Sequence, residues 1–449
     1  MKTFQKILLA TVLFIVLFYD ENIGLNLGIL GIVYSLILLI STPKFLKTKT
    51  FYIVFVLSVL ASIAFAWYGD FVSFAATFMS VALLSFKSKS KELKSVFVIP
   101  VFALTFFSFI YRVFLFDKWF PKTKTEGSTQ KVLAVFVIPA ILLAAFFGIY
   151  SMGSDHFANF LNFNWNIDVW LLFVMICLGF FFAFNFFNPW IPDFIHSQNY
   201  FLKNDFFQED KTTKPTYSFM DLDAERMSGV VSFAVLNILL IFFIITFNYE
   251  QFYENIKSPV QLSQETHERV NAVIISIVMA IVVIMFYFRS TFNFDEKAKS
   301  LKILSKIWIV LNAVLVLSAM AKNAEYFMNY GATYKRFGVF AFLLLALIGL
   351  AFTFYKIQKQ KTNAFLINHM VWYFYGTVLA ASFFNWGGIA TEYNIKNNKG
   401  DLKFLQTLNY NDKILKEHFK TDDQNIYYDE PYFRKTFLSK ILYYESLKK

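Results

Sequence analysis

The sequence predicts an all-α, polytopic transmembrane helix bundle of eleven or twelve spans with a small helical C-terminal tail. Three observations carry that prediction. The 449-residue chain is 57% hydrophobic, 20% aromatic and 16% charged, whereas soluble domains are about 45–50% apolar and about 25% charged. The apolar residues are not spread evenly but fall in blocks of about 16–20, the length that crosses a hydrocarbon core as a helix. The blocks stop near residue 384, and the remainder, Asn385 to Lys449, is polar enough to be soluble.

Twelve apolar segments can be drawn, at 4–19, 23–41, 51–68, 71–86, 95–114, 132–151, 169–187, 230–247, 270–288, 304–321, 337–355 and 365–384. The first follows Lys2 and Lys6 as a signal peptide's apolar region would. No small-x-small cleavage pattern precedes Asp20 and Glu21, so it reads as a retained span. Segments 51–68 and 71–86 are joined only by Gly69-Asp70 and are too long together for one span, which predicts a tight helical hairpin.

Three stretches read as non-spanning. Residues 188–229 open with Asn188-Pro189-Trp190 and Ile191-Pro192, which break a helix. Their aromatics (Trp190, Phe194, Tyr200, Phe201, Phe206, Phe207) suit a piece lying in the membrane interface. Residues 152–168 read as a second interfacial turn. In the tail, Leu402, Leu405, Leu408, Ile414 and Leu415 recur at helical spacing, predicting two or three short helices packed on the bundle. The expected organisation is a transmembrane domain over 1–384, carrying the 188–229 insert, and a soluble helical tail over 385–449.

Lysine and arginine set the expected orientation. Loops 188–229, 289–302 and 356–363 carry four, four and three basic residues, while 152–168, 248–269 and 322–336 carry none, two and three. The first set is therefore expected on the cytoplasmic side, leaving the tail outside. The first half conflicts with this, because loops 42–50, 87–94 and 115–131 are all basic although segment 95–114 separates the last two. Either that segment is re-entrant or interfacial, giving eleven crossings, or one local charge bias misleads.

The same features exclude several functions. The net charge of +11 sits in lysines beside spans, where topology and anionic head groups account for it, so no nucleic acid is expected. No phosphate-cradling Gly-Lys-Ser/Thr loop, His-Glu-x-x-His or Gly-x-Ser-x-Gly is present, and the histidines have no ligand spacing. No metal and no cofactor is predicted. Cys177 is the only cysteine and lies in an apolar block, where it packs. Asn185, Asn237, Asn271 and Asn312 interrupt apolar blocks and read as interhelical hydrogen-bonding residues. No mid-span carboxylate of a proton relay accompanies them. Asp20 and Glu21 at the outer end of the first span admit a general-base or metal-holding role of the kind seen in lipid-linked glycosyl transfer, or a solvated helix end.

The stretch richest in polar function between two spans is 322–336, with Lys322, Glu325, Tyr326, Tyr330, Gly331, Thr333, Lys335 and Arg336. On a helix Lys322 and Glu325 can pair, and Gly331 permits a reversal at positive φ. Arg336 has three readings: snorkelling to lipid phosphate, pairing with Glu325, or holding an anion bidentately.

A series of motifs then occurs in a recognisable order. They are Gly153-Ser154-Asp155-His156-Phe157, Thr266-His267-Glu268-Arg269-Val270 and Phe288-Arg289-Ser290-Thr291-Phe292-Asn293-Phe294. Trp308-Ile309-Val310-Leu311-Asn312 follows, then Thr333-Tyr334-Lys335-Arg336-Phe337-Gly338-Val339, Asn385-Trp386, Ile389-Ala390-Thr391-Glu392-Tyr393-Asn394-Ile395 and Asp401-Leu402-Lys403-Phe404-Leu405. From about Lys131 to Phe419 the chain resembles an uncharacterised bacterial multi-pass membrane family, domain of unknown function 4173, sister of 4153. It departs where many relatives carry Arg at Lys322 and an acid at Gly387-Gly388. The resemblance implies a helical inner-membrane protein and no activity. The candidate binding residues are Asp155, Lys322, Glu325, Tyr330, Thr333, Arg336, Asn385, Tyr393 and Asn394. The expected partners are the bilayer and, beyond it, envelope proteins or anionic lipid. The leading reading is a non-enzymatic component of a transport, envelope or sensing system; the alternative is a transferase of lipid-linked substrates with an outward active site.

Overall fold

Inside hydrocarbon a helix is the arrangement that satisfies every backbone group within one segment, and this chain follows that rule. The structure, a computed structural model, describes residues 1–120, 168–211, 214–215, 218–253, 259–419 and 436–447, with scattered positions between 139 and 150. It is 80% helical, with no strand among the described residues. The first half comprises α1 (Thr3–Phe18), α2 (Leu25–Ser41), α3 (Lys49–Tyr68), α4 (Phe71–Lys89), α5 (Val98–Phe107) and α6 (Val169–Phe187). After the short α7 (Asp193–Phe201) come α8 (Leu222–Tyr253), α9 (Pro259–Tyr287), α10 (Lys299–Tyr330), α11 (Tyr334–Gln358) and α12 (Asn363–Ala381). The tail holds α13 (Trp386–Lys396), α14 (Leu402–Leu405), α15 (Asp412–Phe419) and α16 (Leu442–Ser446).

Among the described residues seven helices are long and apolar enough to cross a membrane: α3, α4, α6, α8, α10, α11 and α12. The shorter apolar helices are α1, α2, Ser95–Phe107 and the Asn271–Tyr287 part of α9. The predicted segment 132–151 and the turn after it lie outside the described residues, apart from the scattered positions and Asp168. Leu8, Val16, Ile40, Phe71, Phe107 and Ile238 remain exposed on the helix faces, as surfaces that contact lipid do.

Several boundaries differ from the sequence expectation. Helix α8 begins at Leu222 rather than near 230, and α9 begins at Pro259 rather than 270. Helix α10 continues through Tyr330, so the expected 322–336 loop is a helix end followed by a three-residue corner. Charged residues there did not end the helix. Lys322 and Glu325 pair at 3.2 Å on one face, i to i+3. The hairpin at Gly69-Asp70 forms as expected: Gly69 takes φ 64 and Asp70 caps α4 by accepting the Ser73 N–H at 2.7 Å.

Long-range bonds assign the helix ends. The Tyr19 hydroxyl, just beyond α1, accepts the N–H of Asp168 at 2.7 Å. The Ser85 hydroxyl near the end of α4 donates to the Phe186 carbonyl near the end of α6. The segment after α4 then stays at that second end. Lys94 N–H donates to Asn199 Oδ1 (2.9 Å) and Trp190 N–H to Thr105 Oγ1 (3.0 Å). Arg112 donates to Asn185 Oδ1 (3.1 Å), to the Thr105 carbonyl (2.9 Å) and to the Asn188 carbonyl. Phe120 packs on Phe4 at the start of α1, with ring centroids 5.6 Å apart. Residues 95–120 therefore enter and return at one end, which places Lys118 at the same end as the 87–94 lysines.

The buried residues form two principal cores. One joins α1–α6 with Tyr375 and Leu379 of α12; the other joins α8–α11. Between these halves lies an apolar groove of about 960 Å³; Tyr375 on its wall shares a hydroxyl bond with Ser80 at 2.8 Å, which ties α12 to α4. At the lysine-bearing end the 188–221 insert straps the halves together. Asn368 Nδ2 donates to the Leu202 carbonyl (3.0 Å) and Asn204 Oδ1 (2.7 Å), and Thr362 Oγ1 donates to the Lys203 carbonyl (2.6 Å). Not every lysine at this end faces solvent: Lys356 is fully buried and caps the end of α9 by donating to the Phe288 carbonyl at 2.8 Å.

Of the asparagines in apolar blocks, Asn237 bonds between helices, to the Leu304 carbonyl at 3.0 Å, and Asn185 receives Arg112. Asn312 instead bonds back to Trp308 in its own helix at 2.8 Å, and Asn271 is exposed.

Candidate functional site

The end opposite the basic loops 42–50, 87–94 and 356–363 carries the tail, and the corner between α10 and α11 is where the tail is held. Helix α10 stops because Gly331 takes φ 86 and ψ 178, a region almost reserved for glycine. Two residues later Thr333 caps α11, its hydroxyl accepting the Arg336 N–H at 3.3 Å. The chain between, Ala332, would leave an N–H and a C=O unpaired. The Asn394 side chain of α13 takes both, accepting the Ala332 N–H at 2.6 Å and donating to its carbonyl at 3.0 Å. A Cβ on Gly331 would collide with Asn394 Oδ1, so the glycine also provides the space for this contact.

Arg336 turns back over the corner. Its guanidinium donates to the Gly331 carbonyl and lies over the Tyr326 ring, 4.0 Å from the centroid. Its Nε is buried without a partner among the described residues. Glu325 binds Lys322 rather than Arg336. Tyr330 packs on Tyr326 with tilted rings 5.0 Å apart, and Tyr393 packs on Phe327 at 4.5 Å. The structure thus gathers Tyr330, Thr333, Arg336, Tyr393 and Asn394 around one corner. Asn385 lies at the start of α13, where it caps the helix through the Gly388 N–H (2.8 Å) and donates to the Tyr410 carbonyl (2.8 Å). Asp155 lies outside the described residues.

From Asn385 the contacts continue to the other half of the bundle. Tyr410, at φ 61, donates its hydroxyl to the Tyr68 carbonyl at the end of α3, and Tyr443 donates to the Tyr410 carbonyl at 2.6 Å. The Tyr334 hydroxyl at the start of α11 accepts the Asn409 N–H at 3.0 Å. Residues 436–441 close over the corner after α1. Both Glu21 carboxylate oxygens accept hydroxyls, from Thr436 and Ser439. Leu25 N–H donates to the Lys440 carbonyl at 2.8 Å. One tail therefore bridges corners of both halves.

Burial gives this junction its electrostatics. The Asp412 carboxyl is pushed above its ordinary range by desolvation, and its Oδ2 has no hydrogen-bond partner. The Tyr443 phenol is pushed up to about 12 by burial and by the nearby Asp412 charge. Nothing here forms a nucleophile-and-base set, and among the described residues no three His, Cys, Asp or Glu side chains group for a metal.

Sequence reasoning missed Tyr68, Tyr334, Tyr410 and Ser439 as junction residues. Isolated tyrosines at helix ends look like interface residues, and their partners are far along the chain, 75 positions for Tyr334 with Asn409 and 342 for Tyr410 with Tyr68. Glycines offered a signal: Gly24 and Gly387 have no room for a Cβ because the carbonyls of Ser439 and Asn409 lie against them.

The fold and this junction define a polytopic α-helical membrane protein whose polar tail is docked on one end of the bundle. It belongs to the family described as Domain of unknown function (DUF4153), which matches residues 50–413. The label 4173 expected from the motifs is not confirmed. No curated protein matches the chain. No solved structure matches it.

Proposed function

We propose that this protein is a non-enzymatic component of a transport, envelope or sensing system in a bacterial inner membrane, with its docked tail presented outside the cytoplasm as the surface that recognises a partner. The observation that carries the reading is the bridge itself. Asn394 ties the tail to Ala332 in one half, while Tyr410 ties it to Tyr68 in the other. A tail clamped this way is a preorganised surface and couples the two halves, so a ligand on it would bias how they sit together. The excess of lysine and arginine in loops 188–229, 289–302 and 356–363 at the opposite end supports the outward placement.

The transferase reading loses one of its carboxylates, since both oxygens of Glu21 are occupied by Thr436 and Ser439. Solute transport needs a polar cavity near the midplane, and the groove between the halves is apolar.

The test uses the full chain in a Cys177→Ser background with a single cysteine at Lys403 in the tail or at Lys44 at the lysine end. A membrane-impermeant maleimide should label the Lys403→Cys protein in intact cells and the Lys44→Cys protein only after lysis; the reverse pattern overturns the orientation. Purification in mild detergent should then recover a stoichiometric envelope partner that Asn394→Ala releases. A chain that purifies alone in both forms overturns the recognition reading.

A further inference from the structure

We infer that the groove between the two halves is a binding site for an anionic glycerophospholipid. Its acyl chains lie among α4, α5, α9, α11 and α12, and its phosphate sits on lysines at the end where α4 finishes. The wall is apolar apart from Ser95, Tyr375 and Thr377, from Phe78 and Phe102 on one side to Leu345 and Met370 on the other. Along α11 it extends from Gly338 to Gly349, about 16 Å at a rise of about 1.5 Å per residue, roughly one leaflet's depth of hydrocarbon. A groove of this character inside a bilayer takes up hydrocarbon rather than water or a polar solute.

Charge names the occupant. The groove continues past Ser95 and Trp372, which line both spaces, into a polar cup of about 280 Å³. Lys87, Lys91 and Lys94 line that cup against a single acid, Glu92. Lys87 donates to the Leu93 carbonyl at 2.6 Å, whereas Lys91 and Lys94 form no ion pair among the described residues. Lys203 stands beyond Lys94 in the next depression, its ammonium over the Phe207 ring at 4.0 Å. Asn368 reaches the cup with Nδ2 committed to Leu202 and Asn204 but with Oδ1 buried and unpartnered. A phosphate matches the lysines, and a head-group hydroxyl matches the lone acceptor on Asn368. An apolar slot ending in lysines and one free acceptor is complementary to an amphiphile with an anionic, hydroxyl-bearing head.

The position adds a role. The lipid would lie between the two cores beside α12, which itself packs on α4 and on α11, and would add to the contacts that hold the halves together.

The test reconstitutes the full-length protein in vesicles of phosphatidylcholine alone or mixed with phosphatidylglycerol carrying a photoreactive acyl chain. Phosphatidylglycerol should be retained on extraction and crosslink to α4, α9, α11 or α12. Lys91→Gln with Lys94→Gln should weaken retention about thirtyfold, since a surface lysine contributes about 1 kcal/mol toward an anionic lipid. Gly338→Leu should reduce acyl crosslinking without unfolding, because a Cβ there meets nothing within 4 Å. Equal retention of phosphatidylcholine overturns the charge assignment. Competition by soluble glycerol phosphate as strong as by the lipid overturns the lipid as source. Unchanged crosslinking in Gly338→Leu, or crosslinks confined to outer helix faces, overturns the groove. A captured protein in place of lipid overturns the proposal as a whole.

Discussion

The side-chain amide of Asn394 reads the backbone of Ala332 in both directions, accepting its N–H at 2.6 Å and donating to its carbonyl at 3.0 Å. Both residues are fully buried, so removing the amide leaves two backbone groups without partners. An unsatisfied buried polar group costs about 1–3 kcal/mol. Asn394→Ala should therefore raise hydrogen exchange in the 386–419 peptides by roughly tenfold or more, with α3 and α8 unchanged. Exchange as slow as in the parent would show that the tail is held elsewhere.

Gly331 tests the same corner from the other side. Its φ of 86 with ψ 178 disfavours any L side chain, and a Cβ there would meet Asn394 Oδ1. Gly331→Ala should cost about 1–3 kcal/mol in backbone strain and should also displace the Asn394 amide. The double variant Gly331→Ala, Asn394→Ala should then lose less than the sum of the two single losses, because part of the glycine's effect acts through the amide. Strict additivity in thermal unfolding would separate the two residues.

The junction should respond to pH through Asp412 and Tyr443. Asp412 has its folded pKa raised by burial. The folded state therefore holds the proton more tightly, and docking is strongest at acid pH. Stability falls as pH rises from the ordinary carboxylate value through the raised one, then levels. Tyr443 is also raised, to about 12, so a second loss begins above its ordinary value of 10 and is complete past 12. A spin label at Lys403→Cys in a Cys177→Ser background should gain mobility in those two windows. Asp412→Asn should remove the first step and Tyr443→Phe the second; mobility independent of pH in the parent would contradict both.

The bundle was legible because hydrocarbon enforces helix length and apolarity together, so blocks such as 51–68 and 71–86 became α3 and α4 almost residue for residue. Boundaries failed where charge is compatible with helix: Lys322 and Glu325 pair on α10 instead of ending it. The re-entrant path of 95–120 showed in the sequence only as two basic loops on either side of one apolar segment. What decides it, Arg112 bonding to Asn185 and Asn188, joins residues more than seventy positions apart. The tail junction was half visible. The motifs singled out Thr333, Arg336 and Asn394, but Asn394 joins Ala332 across 62 residues, and no local pattern gives that pairing. Glu21 drew attention as a carboxylate at a span end, and its partners Thr436 and Ser439 stand more than four hundred residues away.

Glu21 separates a structural from a chemical use of the same carboxylate. Both of its oxygens accept hydroxyls from the 436–447 stretch of the tail, and Ser439 Oγ also accepts the Asn22 N–H at 2.8 Å. Glu21→Gln keeps the shape but offers one good acceptor instead of two, so one hydroxyl loses its partner. Partly exposed bonds to a charged group contribute on the order of 1 kcal/mol each, so exchange in 436–447 should rise a few-fold while 386–419 keeps its protection. Gly24→Ala acts on the same contact by crowding the Ser439 carbonyl, and should free 436–447 more completely with the carboxylate intact. A shared phenotype in the two variants assigns Glu21 to docking. If Glu21→Gln alone altered function while 436–447 stayed protected, the carboxylate would be acting on something other than the tail.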